Sequence, residues 1–159
     1  MHIPGASHIA IGVRDMDRSL RFYRDLLGLQ VSLDRLEPPQ DVPGAPPPRR
    51  RAAYLRWGPD APGSTFLVLD QQLPQAQGEP LALFRVGVHH IGFWVDDVQA
   101  MYDRLTAAGF PASAPVRRVS AHRYGDLHGP DVLYAFFQDP DGITVQLDQR
   151  APAIPPHRV

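Results

Sequence analysis

Two runs of this chain carry side chains and a spacing that suit metal chemistry: His8-Ile-Ala-Ile-Gly-Val-Arg-Asp15 and His90-Ile-Gly-Phe-Trp-Val-Asp-Asp97, the second histidine 82 residues after the first. Imidazole is a common ligand for divalent ions, and its unperturbed pKa leaves it mostly neutral at working pH. The chain has no cysteine, which excludes disulfides, thiolate catalysis and Cys-bound zinc. Any metal must therefore sit on histidine and oxygen ligands. Each half also ends in a similar run, Thr65-Phe-Leu-Val-Leu-Asp-Gln71 and Thr144-Val-Gln-Leu-Asp-Gln149. In their shared Leu-Asp-Gln register, Val68 of the first run stands against Gln146 of the second.

The elements that must position these residues read as a tandem repeat of one module. From Ser7 to Val13, His8, Ala10 and Gly12 alternate with Ile9, Ile11 and Val13, the period of a strand with one apolar face. Asp15 or Asp17 can cap a helix over roughly Asp17 to Leu27, which Gly28 ends. Strands follow over Leu29–Leu36, Ala52–Trp57 and Thr65–Asp70, the last two as a hairpin around Gly58–Gly63. Between them, Glu37 to Pro48 holds six of the 18 prolines and reads as an exposed loop.

A polar linker leads to the second copy: strand His90–Val95, helix Val98–Ala108 with Gly109 as its stop, then strands over Ala112–Val119, Val132–Gln138 and Ile143–Gln149. The expected organisation is one domain over 1–159, with module one at 6–72, a linker at 73–86, module two at 87–150 and a frayed tail at 151–159. Modules packed about a pseudo-twofold bring the two histidines to one centre. Each histidine has small residues on its own face, Ala10 and Gly12 or Gly92, and so leaves room for a cavity. His89, one residue out of register, should face away from it. Trp94, Tyr134, Phe136 and Phe66, with Val68, suit a lining for a planar or hydrophobic small molecule. Arg56, Arg123 and Tyr124 can meet an anionic or phenolic group at its rim.

Bulk properties narrow the setting. Lys and Arg number 16 against 17 Asp and Glu, a formal net charge of −1 that steers the chain toward neither nucleic acid nor an anionic membrane. The start of the chain lacks a signal-peptide pattern and no run approaches a membrane span, so a cytoplasmic protein is expected.

Paired βαβββ modules, the His-Ile-x-x-x-Val-x-Asp openings, the run Arg18-Ser-Leu-Arg-Phe-Tyr-Arg-Asp-Leu-Leu-Gly-Leu29 and the turn Gln138-Asp-Pro-Asp-Gly142 together resemble the vicinal oxygen chelate superfamily. That group includes glyoxalase I, bleomycin-resistance proteins and extradiol dioxygenases. The resemblance covers roughly Ala6 to Gln149. It implies an α+β fold in which two tandem βαβββ modules form a curved mixed sheet around a central cavity, and a homodimer.

It also implies a divalent metal (Fe2+, Mn2+ or Zn2+) on His8, His90 and the position now held by Gln146, where metal-using members place a Glu. A neutral amide removes one negative charge from that ligand set. Extradiol dioxygenases further resemble this chain through a histidine, here His128, as a general acid/base; the Tyr that follows in them is Phe136 here, which carries no proton. The resemblance thus points to a metal-dependent, dioxygenase- or lyase-like enzyme on a small oxygen-bearing substrate. Its competitor is a metal-free, bleomycin-resistance-like protein that sequesters an aromatic molecule.

Overall fold

The alternation at His8 forms β1 (His8–Gly12), with His8, Ala10 and Gly12 exposed and Ile9 and Ile11 partly covered. The structure is a computed structural model that describes residues 2–3, 5–38, 44, 47, 49–58, 64–75 and 77–152. Asp15 starts the first helix by accepting from the backbone N–H groups of Asp17 at 3.0 Å and Arg18 at 3.1 Å, two donors a helix start leaves open. The expected single helix takes two forms, α1 (Met16–Leu20) and then a π-helical stretch, Arg21–Leu26. Gly28, at a φ of 84°, turns the chain out of it.

β2 (Gln30–Glu37), β3 (Arg50–Arg56) and β4 (Phe66–Gln72) complete a four-stranded sheet of order β1-β4-β3-β2, parallel between β1 and β4 and antiparallel elsewhere. Glu37, expected in the proline-rich loop, ends β2 instead. Its carboxylate meets Arg35 at 2.7 Å and its cross-strand neighbour Arg50 at 2.8 Å. Most of that loop, the turn at 59–63 and the tail from 153 lie outside the described residues.

The second copy repeats the plan with β5 (Ile91–Trp94), α2 (Val98–Ala107), β6 (Arg117–Val119), β7 (Val132–Gln138) and β8 (Thr144–Arg150), in the order β5-β8-β7-β6. β5 and β8 run parallel. β6 is shorter than expected: Ala112 makes only an isolated bridge to Phe137, and Pro115 has no N–H to donate to a ladder. A short 3-10 helix, Ala121–Tyr124, was not legible in the sequence; the Ser120 hydroxyl caps it and Gly125, at a φ of 73°, ends it.

The chain divides into two compact units, Met1–Glu79 and Pro80–Val159, so each βαβββ module has its own core and the expected linker is shared out between them. Met16, Leu20, Phe22, Tyr23, Leu55, Leu67 and Leu69 are buried in the first, and Val98, Leu105, Phe137, Val145 and Leu147 in the second. Each such side chain contributes about 1.5–3 kcal/mol of transfer free energy. The eight strands thus form two mixed four-stranded sheets in an α+β fold. No helix among the described residues is long and apolar enough to cross a membrane.

Candidate metal and substrate site

The turn that launches β8 is built by Asp139, a buried residue whose Oδ1 accepts from the backbone N–H groups of Asp141 at 2.9 Å and Ile143 at 2.8 Å. Gly142 takes the positive φ, 92°, that this turn needs. β8 then runs between β5 and β7, which sets Gln146 beside Gly92 and Phe136, and Asp148 beside Trp94 and Tyr134. Alternation puts Val145 and Leu147 into the core and leaves Gln146 and Asp148 on the other face.

On that face three polar groups close a triangle. Tyr124 Oη donates to Asp148 Oδ1 at 2.7 Å, and Gln146 Nε2 lies 2.7 Å from both Asp148 Oδ1 and Tyr124 Oη. An ionised carboxylate only accepts, so the Gln146 amide must turn its NH2 toward Asp148 and its carbonyl oxygen away. Burial, and then the neighbouring Asp148, push the Tyr124 phenol well above its ordinary pKa. Asp148 is the member of this cluster that the sequence reading did not single out. Its signal was present in the even spacing from Gln146 and in Gly92 opposite, where an added Cβ would come within 3.2 Å of Asp148 Oδ2.

His90 lies just before β5, outside the period-two alternation. His89 Nδ1 is 2.8 Å from His90 Nδ1, a distance that requires one ring to accept. Burial and then the His89 charge lower the His90 pKa, with Asp148 opposing them. Its ring meets Phe136 edge-on at 6.1 Å, and Phe136 in turn meets Tyr134 at 5.6 Å. Trp94 is more than half exposed, with its ring 6.0 Å from Tyr124 and beneath the Arg150 guanidinium. The second unit therefore gathers His90, Gln146, Trp94, Tyr134 and Phe136 on one side of its sheet. His128 stands apart on an exposed loop, its backbone N–H bonded to Asp126 at 3.1 Å, and its imidazole makes no hydrogen bond among the described residues.

The first unit carries the equivalent positions with different chemistry. Ala10 pairs with Val68 as Gly92 pairs with Gln146, so the equivalence inferred from Leu-Asp-Gln holds in the register of the sheets. Val68 is buried, and the first unit places no polar ligand there. His8 accepts or donates at Nδ1 with the Ser7 hydroxyl at 3.0 Å and stacks on Phe66 at 5.3 Å. The Arg56 guanidinium covers the same Phe66 ring at 4.2 Å.

Fold and motif order define a class, and the sequence assigns it: the Glyoxalase/Bleomycin resistance protein/Dioxygenase superfamily matches residues 5–147, and the chain belongs to that superfamily. It is 30% identical over 148 residues to the ethylmalonyl-CoA/methylmalonyl-CoA epimerase of Cereibacter sphaeroides, covering 90% of this chain and 96% of that protein. It is 29% identical over 149 residues to a probable chloroplastic lactoylglutathione lyase of Arabidopsis thaliana, covering 94% of this chain but only 37% of that relative's length. Among solved structures, the trypanothione-dependent glyoxalase I of Leishmania major superposes with a TM-score of 0.62 at 26% identity, covering 90% of this chain and 84% of that one.

Metals are implied by this family, and the donor set here fits one only if an amide takes part. Among the described residues no three His, Cys, Asp or Glu side chains gather as a metal site. His8 and His90 each engage Nδ1 and leave Nε2 without a hydrogen bond among the described residues, and Gln146 directs its carbonyl oxygen away from Asp148. Within the second unit, the imidazole nitrogen of His90 and the amide oxygen of Gln146 are ligand types that a divalent ion of intermediate softness accepts.

Proposed function

We propose that this chain is a metal-dependent vicinal oxygen chelate enzyme, acting on a small organic substrate through adjacent oxygens, with His8, His90 and Gln146 as the protein ligands. The observation that carries this reading is the Gln146 amide, whose NH2 is engaged by Asp148 and whose carbonyl oxygen is thereby the end left to bind. The relatives' names, lyase and epimerase, favour lyase-like over dioxygenase-like chemistry.

A bound divalent ion supplies polarisation of the substrate oxygens. Burial favours the neutral imidazole of His90, the form whose Nε2 lone pair binds a metal. Phe66, Trp94, Tyr134 and Phe136 supply apolar surface for the carbon skeleton, and Arg56 a cation for an anionic end of the substrate, whereas Val68, expected in that lining, is buried. His128, exposed and unbonded at its ring, is the proposed carrier of a proton, since Phe136 can carry none. A single domain, a homodimer and a cytoplasmic setting complete the reading.

Calorimetric titration of metal-stripped protein with Zn2+, Mn2+ and anaerobic Fe2+ tests it. Saturable binding in the wild type, lost in His8→Ala/His90→Ala protein that stays folded, is the expected result. The competing reading, a metal-free protein that sequesters an aromatic ligand, has the exposed Trp94 in its favour. It predicts no metal binding, together with quenching of Trp94 fluorescence by planar aromatics.

A further inference from the structure

Asp148 is only 6% exposed, and its hydrogen bonds come from two neutral donors, the Tyr124 hydroxyl and the Gln146 amide. Among the described residues it forms no ion pair. Arg150, next along the same strand face, is engaged elsewhere, over the Trp94 ring at 5.3 Å and toward Asp126 at 3.8 Å. The first sheet handles the same position differently: Asp70 has Arg50 at 2.9 Å. A carboxylate taken out of water without a countercharge is costly, and a cation on that face would offset the cost.

The neighbouring amide is the link to such a cation. When a carboxylate accepts from an amide N–H, it polarises the amide and enriches the carbonyl oxygen at the other end. We propose that Asp148 supplies the negative charge that Gln146 lacks, acting through the amide as a positioning residue: it fixes the Gln146 carbonyl as an oxygen ligand and balances a divalent cation held there. This rests on the metal-dependent reading above and goes beyond it, because it moves the charge of the ligand set two residues along β8. The Tyr124 hydroxyl donates to the same carboxylate at 2.7 Å and steadies it from the 3-10 helix.

The test compares wild type, Asp148→Asn, Gln146→Glu and the double variant Gln146→Glu/Asp148→Asn, which returns the charge to position 146. Two readouts are used: Mn2+ titration, and the side-chain amide resonances of Gln146 in metal-free protein. Asp148→Asn is expected to weaken Mn2+ binding by about 10–100-fold, the usual effect of losing a hydrogen-bonded partner behind a ligand. The double variant is expected to restore it. Without metal, the Gln146 amide protons should shift and exchange faster with solvent in Asp148→Asn.

Wild-type Mn2+ affinity retained in Asp148→Asn, or amide resonances indifferent to it, overturns the charge role alone. No Mn2+ binding by any of the proteins, wild type included, overturns the metal-dependent reading and the charge role with it. If Asp148→Asn does not fold, Gln146→Glu decides: two adjacent carboxylates should lower the metal-free Tm, and Mn2+ should raise that Tm by more than it raises the wild type's. Equal responses in the two proteins overturn the proposal.

Discussion

Asp70 and Asp148 occupy equivalent positions in the two sheets, and among the described residues only Asp70 has an ion-pair partner, Arg50. Asp70 pairs across the ladders with Gly12 and Ala52, and Asp148 with Trp94 and Tyr134. Arg50 reaches Asp70 from its own sheet, whereas Asp148 receives a phenol and an amide. The repeat has kept the backbone position and diverged in what neutralises it.

Gly92 gives Asp148 its room, and Gly92→Ala tests that. The added Cβ meets Asp148 Oδ2 at 3.2 Å, so the carboxylate must give by a few tenths of an ångström. The expected outcome is a Tm close to wild type, with weaker Mn2+ binding and a changed Gln146 amide resonance. Calorimetry and NMR on the same sample read both.

The two faces of β8 should respond in opposite ways to truncation. Leu147→Ala opens a cavity in a fully buried position and should cost about 2–5 kcal/mol. Gln146→Ala, on the half-buried face, should cost far less stability while removing the proposed metal ligand. Urea denaturation beside metal titration separates the two effects.

Acid should loosen the edge of the first sheet. The hydrogen bond from Arg35, with the charge of Arg50, holds the Glu37 carboxyl below its usual pKa of 4.5. A lowered folded-state pKa means that the unfolded chain takes up the proton more readily. The contribution is therefore fully present above about pH 5 and is lost as pH falls through the depressed value. Glu37→Gln should flatten the stability profile in that window, read by thermal melts across pH.

A homodimer should be visible in solution. Phe84, Val86 and Val88 are 80–100% exposed, an apolar stretch that a second copy can cover. Sedimentation at micromolar concentration should show twice the mass of one chain. Val86→Lys/Val88→Lys should shift it to one, and a wild type that runs as a single chain would contradict the homodimer.

Much of the fold was legible from local pattern. The alternation at His8, the cap at Asp15 and the stops at Gly28 and Gly109 act over a few residues, so the sequence alone determined the two βαβββ modules and the equivalence of Val68 with Gln146. Two features depended on contacts between distant segments. The 3-10 helix that delivers Tyr124 to Asp148 joins residues 24 positions apart, and Glu37 stays in its strand because Arg50 meets it. Period and propensity say which face a side chain takes. Only tertiary packing decides which charge lacks a partner, because that depends on every group the other strands bring near it.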